Sequence, residues 1–199
     1  MTALAISCTL KPSPAESSTD LLGSQILSAL AEHGVTGELV RAVDHVISPG
    51  VEADMGGDDQ WPTLREKVHA ADILVLLTPT WMGQQSSVAQ RVLERLDAEL
   101  SETDDAGRPI LFDKVALAGI VGNEDGAHHI AAILFQSLND VGYSVPAQAS
   151  VYWNGEAMQT VDYKDLDETP EKVAQATATA ARNAARLAGL LKADGYPAE

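Results

Sequence analysis

Hydroxyl side chains crowd one stretch near the N-terminus. Ser7-Cys8-Thr9-Leu10-Lys11 is followed by Ser13, Ser17, Ser18 and Thr19, and an amphipathic segment begins at the end of this run. Hydroxyls, free backbone N–H groups and the positive end of a helix dipole together make a site for an anion such as a phosphate. Ser17-Ser18-Thr19-Asp20 would equally serve as a helix cap with no ligand, and on this stretch alone the two readings stay level. The patterns G-x-x-x-x-G-K-[ST] and G-x-G-x-x-G are absent, which excludes a nucleoside-triphosphate loop and a Rossmann dinucleotide fingerprint. A second stretch, Thr78-Pro79-Thr80-Trp81-Met82-Gly83, sets a large aromatic where a tight strand-to-helix connection carries small residues. Pro79 restricts the backbone as the strand ends, and Gly83 permits close approach or a positive φ. Trp81 then either packs on a neighbouring helix or embraces a flat ligand, and its position beside an anion stretch favours the ligand.

A third stretch, Gly122-Asn123-Glu124-Asp125-Gly126-Ala127-His128-His129, has two glycines bracketing polar residues. Asn and Asp close turns on their own backbone, so a simple turn is the plain alternative. The adjacent histidines point apart and no third ligand has suitable spacing, so no metal site is expected. Cys8 reads as a small buried hydrophobe. His33, His45 and His69 have no companions. G-x-S-x-G is absent, which argues against serine-nucleophile chemistry.

The segments that must position these stretches alternate between strand-like and helix-like. Strands are expected at Ala3–Cys8, Gly37–Ile47, Ile73–Leu77, Lys114–Val121 and Ser144–Tyr152. Between them run helices with apolar faces: Leu22, Ile26 and Leu30; Trp61, Leu64 and Val68; Val88, Val92, Leu96 and Leu100; Ile130, Leu134 and Leu138. Pro62 suits the first turn of the second helix. Thr169-Pro170-Glu171 reads as the cap and start of a last helix running to about Leu191. Five strands alternating with five helices predict an α/β doubly wound parallel sheet with helices on both faces, in one domain over residues 1–199. Ligands in such sheets bind beyond the carboxyl ends of the strands, and the three chemical stretches follow strands one, three and four.

The formal net charge of −16 excludes a phosphate-binding basic face and, with it, nucleic acid and anionic membrane surfaces as partners. It reads first as a solubilising surface. Apolar residues make up 45% of the chain, enough for a full core, and no apolar run approaches the roughly 20 residues of a membrane span. The single cysteine rules out an internal disulfide framework. Met1–Leu10 lacks a basic region and a cleavage site, so a cytoplasmic protein is expected.

Thr9-Leu10-Lys11 with Ser17-Ser18-Thr19, then Pro79-Thr80-Trp81-Met82-Gly83, then Gly122-Asn123-Glu124-Asp125-Gly126 resemble the three flavin loops of the flavodoxin-like NAD(P)H-dependent FMN reductases, a group that includes NAD(P)H:quinone reductases. Three motifs in order after the right strands carry the resemblance, and it covers the chain from the first strand through the fourth helix. It implies a flavodoxin-like sheet of order 2-1-3-4-5, non-covalent FMN, NAD(P)H as co-substrate, and a homodimer or homotetramer. Carried over by position, Thr9, Lys11, Ser17, Ser18 and Thr19 would hold the FMN phosphate, with Lys11 as a point charge. Pro79, Thr80, Trp81, Met82 and Gly83 would run along the isoalloxazine edge, and Gly122, Asn123, Asp125 and Gly126 would border its other side. The chain departs from the family pattern with Ser7-Cys8 where many members have Gly-Ser, Lys11 where Arg is common, and extra residues from Pro12 to Glu16. The implied activity passes hydride from NAD(P)H through FMN to a flavin, a quinone or a similar small electron acceptor, with no general base and no catalytic side chain assigned. The alternatives are a flavodoxin-type electron carrier and a flavin-free interaction protein on the same fold. The polar loop Ser48–Gln60, with Met55 inside it and Trp61 just after it, is the expected partner surface.

Overall fold

In the computed structural model, which describes residues 1–158 and 161–197, strands and helices alternate along the chain. They are β1 (Thr2–Ser7), α1 (Ser18–Ala31), β2 (Thr36–Arg41), α2 (Trp61–Ala70), β3 (Ile73–Trp81), β4 (Gln84–Gln85), α3 (Ser87–Leu96), β5 (Val115–Gly122), α4 (Ala127–Asp140), β6 (Ser150–Asn154) and α5 (Glu171–Ala193). The main sheet has the order β2-β1-β3-β5-β6, all parallel. The short β4 folds back antiparallel on the end of β3. Leaving β4 aside, this is the flavodoxin-like order 2-1-3-4-5 that the family resemblance implies.

Strand side chains alternate between the two faces. Leu4, Ile6, Leu74, Leu76, Ala116 and Ala118 meet α2, α3 and α4 on one side, through Leu64, Val92, Leu96, Ile130 and Leu134. Ala3, Ala5, Val75, Leu77, Leu117 and Val121 meet α1 and α5 on the other, through Leu22, Ile26, Leu30, Ala181 and Ala184. The unbroken apolar run in β3 is what a strand covered on both faces requires.

Several boundaries differ from expectation. β2 stops at Arg41 and passes into a short 3-10 turn, Ala42–Asp44, instead of running to Ile47. Its one neighbour, β1, pairs Ser7 with Arg41 and then leaves the sheet, so nothing remains for β2 to bond. The last strand begins at Ser150 rather than Ser144. Ser144 makes a lone bridge to Val115; Pro146 then lacks a donor and Gln148 sits at φ 60. Helix α5 begins at Glu171 with Pro170 in the cap position, and the Thr169 hydroxyl accepts from Gln25 Nε2 at 2.8 Å instead of capping. Trp61 is fully buried against the α2–α3 core, which removes it from the expected partner surface.

Candidate functional site

The loop after β1 leads into the N-terminus of α1. Ser17 is the cap, with extended backbone (φ −137°), and its hydroxyl accepts from the Asp20 N–H at 3.4 Å. The capping reading of this stretch therefore holds, and the anion reading stands beside it. Thr9, Ser17 and Thr19 are buried, at 4%, 8% and 2% exposure, and line a cavity together with Ser18 and the exposed Lys11. The Lys11 N–H donates to Thr9 Oγ1 at 3.3 Å, and the Ser18 hydroxyl accepts from the Lys164 N–H at 3.2 Å. Among the described lining residues Lys11 is the only cation.

The stretch that reads as a turn is still strand through Trp81. Beyond Leu77 the β1 side of β3 is open, because β1 has ended, while Pro79 still pairs with Val121 of β5. A proline is tolerated where one edge is free, since its missing N–H removes no ladder bond there. Met82 (φ 54) and Gly83 (φ 73) make a two-residue hairpin turn into β4. The residue after the hairpin is tied to β3 and to the end of β1: Ser86 N–H donates to Thr78 Oγ1 at 2.9 Å, and Ser86 Oγ donates to the carbonyl of Cys8, just past β1, at 2.7 Å. Cys8 itself is fully buried, and burial pushes its thiol well above the ordinary value, so it acts as the expected small hydrophobe.

Pro79, Thr80 and Trp81 line the cavity, as do Gly122 and Asn123. Met82, Gly83, Asp125 and Gly126 do not. Met82 points outward at 90% exposure, and its N–H donates to Glu124 Oε1 at 2.6 Å. Gly83 and Gly126 touch each other: Gly126 has φ 144°, and a Cβ there would lie 2.8 Å from the Gly83 Cα. These residues join the two loops, because the strand runs farther than expected and moves the turn outward. Trp81 is 55% exposed at the cavity mouth.

Sequence reasoning missed part of the wall. Leu10, Val121 and Glu124 line the cavity, and so do Trp153 of β6 and Ala157, Met158, Asp162 and Tyr163 from the chain after it. Trp153 and Tyr163 pack with centroids 5.5 Å apart, Tyr163 donates to Gln25 Oε1 at 2.6 Å, and Asn123 Nδ2 donates to Asp162 Oδ1 at 3.1 Å. The rule that ligands lie beyond strand carboxyl ends applies to the last strand as well, and Trp153-Asn154-Gly155 was the available signal.

The cavity encloses about 430 Å³. One end offers hydroxyls, a helix N-terminus and a lysine; the middle offers Pro79, Trp81, Val121 and Trp153. Thr80 Oγ1 is buried in this middle region with no hydrogen-bond partner. Thr80 packs directly on Gly122, where a Cβ would come within 2.7 Å of Thr80 Cβ. Buried hydroxyls at one end and apolar side chains in the middle fit a ligand with an anionic end and a flat apolar body. A flavin phosphate has that shape and polarity.

Among the described residues no three His, Cys, Asp or Glu side chains gather as a metal site, and no helix is long and apolar enough to cross a membrane. His128 and His129 are exposed; their Nε2 atoms lie 2.9 Å from Tyr152 Oη and 3.1 Å from Gln84 Oε1.

Comparison with known proteins agrees with this geometry. Residues 1–157 match the family described as NADPH-dependent FMN reductase. The 8-demethyl-8-aminoriboflavin-5'-phosphate synthase of Streptomyces davaonensis is 37% identical over 164 residues, 78% of this chain and 64% of that protein. The divalent metal cation transporter MntH of Mycobacterium bovis is 42% identical over 167 residues, 82% of this chain but 24% of that protein. The chain thus spans less than two thirds of either relative, and a quarter-length match carries no transport activity with it. The crystal structure of RosB with bound 8-demethyl-8-formylriboflavin-5'-phosphate superposes with a TM-score of 0.88 at 32% identity, over 98% of this chain and 82% of that one. The family match over most of the chain and the relatives named for riboflavin phosphates lead to one assignment: this chain belongs to the NADPH-dependent FMN reductase family, with a flavodoxin-like fold and FMN as the family's cofactor.

Proposed function

We propose that this chain, as one flavin-binding domain, oxidises NAD(P)H and reduces a small organic acceptor, a flavin, a quinone or a similar conjugated molecule. Bound FMN supplies the hydride-accepting ring for this chemistry. The side chains bind and orient: Thr9, Ser17, Ser18 and Thr19 with the α1 N-terminus hold the phosphate, and Lys11 adds a point charge. Pro79, Thr80, Trp81, Gly122 and Asn123 hold the ring, and Trp81 borders the place of the second substrate. No side chain is asked to move a proton. The observation that carries this reading is the cradle of buried Thr9, Ser17 and Thr19 at the α1 N-terminus, at one end of a cavity whose middle is walled by Pro79, Trp81 and Trp153. The exposed Trp81, Met82 and Met158 around the mouth support a homodimer or homotetramer that covers them. The buried lone thiol fits a cytoplasmic location.

The test is FMN titration of the purified chain, followed by NAD(P)H oxidation with a quinone or with free riboflavin. FMN-dependent consumption of NAD(P)H is expected. Flavin binding without NAD(P)H oxidation would identify an electron carrier, and no flavin uptake would end the reading. Light scattering that gives a monomer at micromolar concentration would overturn the oligomer.

A second reading rests on the likeness to the synthase and to RosB: the flavin phosphate is itself the substrate and is modified at its ring. Mass spectrometry of flavin recovered after aerobic incubation separates the two, since a reductase returns FMN of unchanged mass.

A further inference from the structure

Arg41, the last residue of β2, lies outside the cavity wall and yet gathers the anion loop around itself. Its side chain is 9% exposed. Nε donates to Asp20 Oδ2 at 2.6 Å, Nη1 to the Lys11 carbonyl at 3.0 Å and Nη2 to the Ala15 carbonyl at 2.6 Å. The other Asp20 oxygen accepts from Ser7 Oγ at 2.5 Å, and the Asp20 N–H reaches the Ser17 cap. One guanidinium therefore fastens the first turn of α1 and, through Asp20, the end of β1, together with one carbonyl just before the extra residues of the loop and one within them. Just beyond it, Asp44 takes the Ser13 N–H at 2.8 Å and the Ser13 hydroxyl at 2.5 Å, fixing the middle of the same loop. The Ser13 bonds hold the Asp44 carboxyl below the ordinary carboxylate range.

All three guanidinium nitrogens are thus engaged by a carboxylate or by carbonyls, and the charge is matched by Asp20. Two of its five N–H donors remain, but the side chain is not part of the cavity wall. Its effect is on the loop. Carbonyls drawn toward the guanidinium turn their peptide planes, and across a trans peptide the N–H points the opposite way. The Ala15 carbonyl held by Nη2 thereby sets the direction of the Glu16 N–H, immediately before the cap.

We propose that Arg41 is a positioning residue for the phosphate end of the site: it shapes the loop that distinguishes a flavin phosphate from the unphosphorylated flavin, without contacting the ligand. The inference rests on the FMN reading above. A lysine there could neutralise Asp20 but could not span a carboxylate and two carbonyls, because it lacks the planar fork.

The experiment is fluorescence titration of the apo chain with FMN and with riboflavin, for wild type, Arg41→Met, Arg41→Lys and Lys11→Ala, at low and high salt. Arg41→Met should weaken FMN about tenfold or more and riboflavin less than about twofold, so that the preference for the phosphate collapses. Arg41→Lys should fall between wild type and Arg41→Met. The salt dependence of FMN binding should flatten in Lys11→Ala and persist in Arg41→Met. Equal weakening of both ligands by Arg41→Met would mean general loosening and overturn the proposal, and so would unchanged FMN affinity. A salt dependence flattened in Arg41→Met as in Lys11→Ala would place Arg41 on the phosphate itself and overturn it too. If Arg41→Met fails to fold, Arg41→Lys decides: wild-type preference for FMN in that variant means the fork is not needed. A wild-type chain that binds neither ligand removes the FMN reading, whereas tight wild-type FMN binding with unaltered Arg41 variants removes this inference alone.

Discussion

Two threonines in the cavity make different demands on their surroundings. Thr19 sits buried in the first turn of α1, where the helix's first N–H groups lack intrahelical partners, and lines the cavity. Thr19→Val should weaken FMN by about 3-fold to 100-fold, the cost of one lost bond to a charged group, with little change in turnover once FMN saturates. Thr80 is buried with an unused hydroxyl. Thr80→Val keeps the shape and removes the hydroxyl, so the apo chain should gain up to about 1 kcal/mol in urea unfolding while FMN affinity falls. Changes of the same sign in both measurements would mean that this hydroxyl does not face the ligand. Trp81 is half exposed at the rim, with less of its surface committed to the cavity. Trp81→Ala should leave the FMN Kd within about tenfold and alter KM or the choice of acceptor, read in steady state at saturating FMN.

At the scale of elements, the loop from Ser48 to Gln60 looks free in sequence and is anchored in the fold. Arg95 of α3 and Asp59 are both fully buried and paired at 2.8 Å. Arg95 also reaches the carbonyls of Ser48 and Glu52, and Asp59 takes the N–H groups of Ser48, Met55 and Trp61. The guanidinium, with those N–H groups, holds the Asp59 carboxyl well below the ordinary range despite burial. A depressed folded-state pKa gives stability that is present above the unfolded value, near pH 4, and is lost as pH falls through the folded value. Asp59→Ala should cost about 3–5 kcal/mol, because it strands a buried cation, and should flatten the acid limb of the stability curve. Urea midpoints between pH 3 and pH 7 check both; an acid limb as steep as wild type would place the titrating group elsewhere.

For the molecule as a whole, the dominant quantity is the charge of −16. NAD(P)H is an anion and must approach an acidic surface, and the phosphate end offers a single exposed lysine. The field repels it over a Debye length of about 30 Å at 0.01 M salt and about 8 Å at 0.15 M. The kcat/KM for NAD(P)H should therefore rise with ionic strength over that range, and more for NADPH than for NADH, since the extra phosphate adds charge. A fall with salt would point to a local cationic patch that outweighs the net charge.

The sequence by itself determined the alternation of elements and the apolar faces that bury them, because periodicity records local burial directly. Ser17 could be read as a cap and Thr9, Lys11 and Thr19 as an anion cradle because each acts within one turn of its neighbours. Only the tertiary structure decided that β3 runs on to Trp81, since that depends on where β1 stops beside it. The same holds for the strut from Arg41 to Asp20, across 21 positions, and for the wall in which Asn123 meets Asp162, across 39. Those contacts join residues whose own neighbours carry no sign of the partner, and packing alone brings them to bonding distance.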